Sequence, residues 1–171
     1  MEIKLSQKER MLLEDDKNQE EICVTKYKNY AQQTSDPELK QLFDTLASEE
    51  QHHYDMVDQM LQGKQPDMSH AQWGQSRSSQ WEQGQSGQSD KKKSRQSDQS
   101  GYKGITDTSD KVLCSDLLAT EKYVSGTYDT GIFEAANPTV RQALQHIQHE
   151  EQSHGEQLFN YMNSHGMYNV K

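Results

Sequence analysis

Along two stretches of the chain, on either side of a polar middle, apolar residues recur every three or four positions, the period of one face of an α-helix. Four helical segments follow, and start and stop signals bracket them. Ser6-Gln7-Lys8-Glu9 has the form of a capping box for a first helix running to about Thr34. Ser35-Asp36-Pro37-Glu38 caps a second helix, with Pro at its first position, that runs to about Gln62 and stops at Gly63. Residues Asp107 to Asp110 offer caps for a third helix ending near Ala136, and Asn137-Pro138 caps a fourth that Gly166 ends.

The two predicted hairpins are copies. Shifting the chain by 101 residues aligns Leu12 to Leu61 with Leu113 to Met162 without a gap. Leu12 falls on Leu113, Asp15 on Asp116, Glu20 on Glu121, Tyr27 on Tyr128, Pro37 on Pro138 and Gln41 on Gln142, and the EEQ-x-H residues at 49–53 fall on those at 150–154. Neither hairpin can bury its apolar stripe alone, so the pair predicts an all-α, antiparallel four-helix bundle in which the third helix runs antiparallel to the first. Twenty-five helical residues extend about 38 Å, a distance the connecting segment spans easily.

The inner stripes are apolar at their ends and ionisable in the middle. The second helix walks through Leu39, Leu42 or Phe43, Leu46, Glu50, His53, Val57 and Met60 or Leu61; the fourth through Val140, Ala143 or Leu144, Ile147, Glu151, His154, Leu158 and Met162. The first walks through Leu13, Asp16, Glu20, Cys23 or Val24 and Tyr27, and the third through Cys114, Leu117, Glu121, Val124 and Tyr128. Glu20, Glu50, His53, Glu121, Glu151 and His154 therefore aim into the core at one level, and no Lys or Arg of the stripes stands there. Buried carboxylates without positive charge cost several kcal/mol each or take up protons. Two divalent ions would supply the missing charge.

One Glu from each of two helices and Glu-x-x-His from each of the other two is the ligand set of ferritin-like di-iron and di-manganese carboxylate proteins. Carboxylate and imidazole suit Fe or Mn, and the i, i+3 spacing brings Glu and His of one helix to the same ion. Glu50 and Glu151 are the natural bridging pair, with Glu49 and Glu150, one position earlier, as alternatives. A metal-free, proton-sharing network of the same residues is the competing reading. Tyr27 and Tyr128 read as core aromatics that could also bond a ligand carboxylate, while His52, His146 and His149 fall off the inner stripe and are predicted at the surface.

Composition sharpens the domain limits. Only 30% of the 171 residues are hydrophobic, and the deficit is concentrated in residues 64–110, a Ser-, Gln- and Gly-rich tract whose composition predicts a disordered linker. The expected organisation is a first hairpin over residues 1–63, the linker over 64–110 and a second hairpin over 111–171. The net charge of -9 resides in the hairpins and argues against nucleic acid as a partner. The run Lys91 to Arg95 is the one basic patch, and Trp73 and Trp81 interrupt the same tract. No stretch reads as a membrane span or a signal-peptide core, so synthesis in the cytoplasm is expected. Cys23 and Cys114 form no thiolate motif, which excludes a rubredoxin-type centre and suits small core residues.

The stretches LLATEKYVSGTYDTGIFEAANP and HIQHEEQSHGEQLFNYM carry a more specific likeness. In them the second half resembles the coat F family of endospore-forming bacteria, spore coat proteins with a ferritin-like bundle, and with the first hairpin the resemblance extends over all but the linker. It implies a place in the spore coat, a structural role there, and other coat proteins, or further copies of the chain, as partners. It does not decide whether the chain is an enzyme. A di-iron or di-manganese oxidoreductase acting on peroxide or oxygen, rubrerythrin-like or manganese-catalase-like, is the alternative.

Overall fold

The computed structural model describes residues 2–68 and 109–170. Four helices follow in order: α1 (Gln7–Ala31), α2 (Pro37–Leu61), α3 (Asp110–Glu134) and α4 (Pro138–Ser164). The Ser6 capping box is formed, with the Glu9 amide donating to Ser6 Oγ at 3.2 Å and the Ser6 amide to Glu9 Oε2 at 2.8 Å. Asp36 and Asn137 cap α2 and α4 ahead of a Pro at the first helical position. Ser109 stands at the N-cap of α3 without a side-chain capping bond.

Two helices stop short of the lengths predicted. α1 ends at Ala31 because the amides of Gln33 and Thr34 both turn back to the Tyr30 carbonyl, tightening the chain toward the Asp36 cap. α3 ends at Glu134, where Ala135 takes an extended conformation (φ -69°, ψ 118°). At the other end of the hairpins Gly63 and Gly166 adopt left-handed φ values of 76° and 69°, a conformation that favours glycine, so the stops after α2 and α4 are chemical as well as geometric.

Cross-helix contacts fix the directions. Lys8 pairs with Glu134 near one end of the bundle while the Tyr30 hydroxyl donates to Asp116 Oδ2 at 2.7 Å near the other, so α1 and α3 run antiparallel. Between them, Lys26 Nζ reaches Asp116 Oδ2 at 2.6 Å and Thr127 Oγ1 donates to Gln19 Oε1 at 3.1 Å. The apolar interior divides into two clusters. One contains Leu13, Met56, Val57, Met60, Leu144 and Ile147, the other Leu39, Phe43, Leu46, Leu117, Leu158 and Met162. Burying each such side chain stabilises the fold by about 1.5–3 kcal/mol. The repeat exchanges the clusters, Val57 for Leu158 and Leu39 for Val140, and the polar residues of the stripes lie at the level between them.

The beginning of the predicted linker joins the bundle's end. Residues 64–68 have no regular secondary structure, but Pro66 is buried, Met68 packs on the first cluster, and the Ile3 amide donates to the Gly63 carbonyl at 2.8 Å. The rest of that tract, with Trp73, Trp81 and the Lys91 to Arg95 run, lies outside the described residues.

Candidate metal centre

All six side chains singled out in the stripes meet at mid-height. Glu20, Glu50, His53 and Glu151 form one group of potential ligands, and Glu50, Glu121, Glu151 and His154 another, with the ligand atoms of each within 4.8 Å of one another. Glu50 and Glu151 belong to both. Every member is at most 2% exposed. The two imidazoles stack across the middle, ring centroids 5.4 Å apart and planes 18° from parallel.

Each histidine turns Nδ1 inward. His53 Nδ1 lies 2.9 Å from Glu151 Oε1, 3.3 Å from Glu50 Oε2 and 3.9 Å from Glu20 Oε2. His154 Nδ1 lies 3.0 Å from Glu50 Oε1, 3.7 Å from Glu121 Oε2 and 4.0 Å from Glu151 Oε2. The outward nitrogens meet the residues that sequence offered as alternative ligands: His53 Nε2 is 2.9 Å from Glu150 Oε2, and His154 Nε2 is 2.9 Å from Glu49 Oε2. Glu49 and Glu150 thus stand behind the histidines, each on the opposite hairpin from its imidazole. A carboxylate at Nε2 holds the ring with Nδ1 free to act as a base or ligand toward the core.

Tyr27 and Tyr128 are fully buried. Each reaches across to the other hairpin, the Tyr27 hydroxyl donating to Glu121 Oε1 and the Tyr128 hydroxyl to Glu20 Oε1. Burial first, and then the charge of the carboxylate each bonds, pushes both phenols well above their ordinary range.

Proton affinities show the strain of assembling this cluster. Burial, followed by the charges of Glu151 and Glu50, drives Glu20 well above the usual carboxyl range, and burial with the charge of Glu50 does the same to Glu151. Glu50 is also opposed by burial, yet hydrogen bonds from His154 and His53 hold it below its usual value. Burial would depress both imidazoles, but the carboxylates around them raise them well above ordinary histidine. Even so, Glu20 Oε2, Glu121 Oε2 and Glu151 Oε2 are buried without a hydrogen-bond partner, and Glu151 Oε1, though 2.9 Å from His53 Nδ1, has no well-formed one. Among the described residues, no Lys or Arg is buried to neutralise them. Four carboxylates and two imidazoles directed at one another, with buried oxygens left unpaired, fit two divalent cations in charge and in donor type, the ions taking the place of the protons that the imidazoles otherwise hold.

Three neighbours depart from the sequence reading or exceed it. His146, predicted at the surface, is 7% exposed in the α2–α4 seam, with Nε2 3.3 Å from Glu150 Oε2. It stands one residue before Ile147 of the inner stripe, so a stripe count along α4 alone does not reach it. Burial holds its imidazole below ordinary histidine. His149 is exposed as predicted and His52 is intermediate. Asp16, on the α1 stripe one turn before Glu20, is a further buried carboxyl whose Oδ2 lacks a hydrogen-bond partner; burial and the nearby Asp15 raise it to about 7. Cys23 and Cys114 are buried free thiols.

A bundle of two helical hairpins with this buried carboxylate–histidine cluster at its centre is a ferritin-like protein, and the cluster is consistent with a di-metal site. The two halves match different families of that kind. Residues 109–171 match the Coat F domain and residues 2–63 match Rubrerythrin. The likeness read from the sequence thus divides at the repeat: the second hairpin carries the coat F pattern, and the first is the more rubrerythrin-like copy. No curated protein and no solved structure gives a significant match.

Proposed function

We propose that this chain is a spore coat protein whose ferritin-like bundle binds two Fe or Mn ions. Glu20, Glu50, His53, Glu121, Glu151 and His154 are the ligands, and Glu50 and Glu151 serve both ions. The observation that carries the reading is the convergence of four buried carboxylates on two inward Nδ1 atoms, with Glu20 Oε2, Glu121 Oε2 and Glu151 Oε2 left without a hydrogen-bond partner. The Coat F match of the second hairpin supports the location. In the assembled coat the protein contributes structure, with other coat proteins or further copies of itself as partners.

When bound, such ions supply positive charge and the capacity for one-electron exchange. The chain's own residues then do four things. Glu49 and Glu150 fix the histidine rings, Tyr27 and Tyr128 pin Glu121 and Glu20 from the opposite hairpin, the apolar clusters keep bulk water away, and Glu50 and Glu151 tie the two halves together. The Rubrerythrin match of the first hairpin favours a second reading, in which the same centre turns over peroxide or oxygen. Peroxide consumption by metal-loaded wild type, absent from Glu50→Ala, would establish it; no consumption leaves the structural role.

The deciding experiment is the melting temperature of wild type and Glu50→Gln, each with and without chelator, beside elemental analysis of the purified protein. Binding to the folded state alone stabilises by mass action, so chelator should lower the wild-type value and leave the variant's almost unchanged. Indifference of the wild type to chelator, together with the absence of bound metal from the purified protein, would end the metal proposal.

A further inference from the structure

The carboxylate behind His53 has a second imidazole on it. Glu150 Oε2 lies 2.9 Å from His53 Nε2 and 3.3 Å from His146 Nε2, so one oxygen stands between a fully buried histidine of the core cluster and one at the edge of the seam. His146 is 7% exposed, and its Nε2 is buried without a well-formed hydrogen bond, whereas the Glu150 side chain keeps 28% of its surface in contact with solvent. The pair sits at i and i+4 on α4, the spacing at which two donors on one helix face converge on a single cation. The opposite side of the cluster is different. There Glu49 is 43% exposed behind His154, and the repeat places Thr45 where the second hairpin has His146 and Ser48 where it has His149.

We infer that His146 and Glu150 form an outer cation site for a first-row divalent ion, on one side of the bundle only, a single carboxylate away from the core cluster. A neutral imidazole is a borderline donor and a part-exposed carboxylate a hard one, a mixed set of the kind that Fe, Co and Zn accept, and solvent at Glu150 completes the coordination. Glu150 then has two duties, holding the ring of His53 and presenting an oxygen to the outer ion. The inference rests on the di-metal reading only for the total number of ions. The pair itself is separate from the six core ligands.

Cobalt(II) is the probe, read as equivalents bound per chain at equilibrium and by its d–d absorption. Wild type should bind two equivalents at the core and a weaker third, and His146→Thr, which copies the first hairpin, should lose the third alone. Thr45→His should gain one, by building the same i, i+4 pair with Glu49. That variant also guards against misfolding of His146→Thr, which circular dichroism would reveal. Two equivalents in both wild type and His146→Thr, with no gain in Thr45→His, would overturn the outer site and leave the core proposal standing. A single wild-type equivalent that His146→Thr abolishes would support the outer site and overturn the core proposal. No binding at all would overturn both.

Discussion

Under the 101-residue shift Glu20, Tyr27, Glu50 and His53 fall on Glu121, Tyr128, Glu151 and His154, whereas Asp16 falls on Leu117, Tyr30 on Gly131 and Thr45 on His146. The first set shares one hydrogen-bonded cluster in which each residue depends on partners from the other copy, since Tyr27 bonds Glu121 and Tyr128 bonds Glu20. The second set lies around that cluster, where each hairpin packs its own way. Tyr30 donates to Asp116 from α1, while Gly131, its counterpart, leaves room for Leu144, whose Cδ1 lies 3.2 Å from where a Cβ would stand. The two copies are alike where a group of buried charges must be satisfied jointly and unlike where a single packing choice suffices. The contrast also separates what a metal would require from what the bundle would need without one.

The largest effect should come from breaking the shared centre. Glu50→Ala removes a residue common to both ligand groups, so both ions should be lost, each worth about 2.7 kcal/mol of stability when free metal is at 100 times its Kd. His53→Ala and His154→Ala should each cost one ion and resemble one another. Metal content by mass spectrometry of the three variants, with denaturant midpoints, checks this; a strong inequality between the histidines would show that the copies differ at the centre too.

Next in size is Asp16, the buried α1 carboxyl that the repeat replaces with Leu117. Asp16 titrates at about 7 in the folded chain against an ordinary value of 3.8, so folding favours its protonated form. Its penalty is absent below about pH 3.8, grows as pH rises and is complete above about 7, where it amounts to roughly 4 kcal/mol. Asp16→Leu, the residue of the other copy, should therefore stabilise the protein, more at pH 8.5 than at pH 4.5, in paired unfolding curves with wild type. A gain equal at both pH values would mean that the effect is one of apolar packing rather than charge.

Smaller and matched losses are expected from the tyrosines. Tyr27→Phe and Tyr128→Phe each remove one donor from a buried carboxylate, at about 1–3 kcal/mol. Equal losses in urea titrations would show that the two cross-hairpin bonds are equivalent; a loss confined to one would mean that the cluster leans on one copy. The smallest effect tests the composition-based reading of the connecting tract. Shortening residues 69–108 to a length that still spans the bundle should change stability by about 1 kcal/mol or less, because closure entropy varies slowly with length.

The fold was readable because its signals are local or periodic. Caps at Ser6, Asp36 and Asn137 and glycines at 63 and 166 mark ends, and the stripes carry Glu50, His53, Glu151 and His154 at one height by helical spacing alone. What lay beyond reading depends on the neighbour rather than the helix. His146 is buried beside Glu150, which reaches across to His53 of α2, and Glu9 completes a predicted capping box while its other oxygen accepts the Asn137 amide at 2.7 Å, binding the start of α1 to the loop between α3 and α4. The tyrosines' choice of the opposite hairpin's Glu, and the placing of Glu49 and Glu150 behind the histidines, follow from how α1 meets α3 and α2 meets α4. No one-helix pattern contains those pairings.

Each potential ligand group draws three residues from one hairpin and one from the other: Glu151 joins Glu20, Glu50 and His53, and Glu50 joins Glu121, Glu151 and His154. The same centre could therefore be assembled from two separate molecules of a single hairpin about a true dyad, and covalent linkage is no geometric necessity for it. Linkage matters to everything around the centre. In a pair of identical hairpins any residue placed beside one imidazole is placed beside both, whereas in the joined chain a mutation strikes one side at a time. His146 opposite Thr45 is the product of that freedom: a centre kept balanced by mutual dependence, with a front and a back that its unlinked counterpart could never have had.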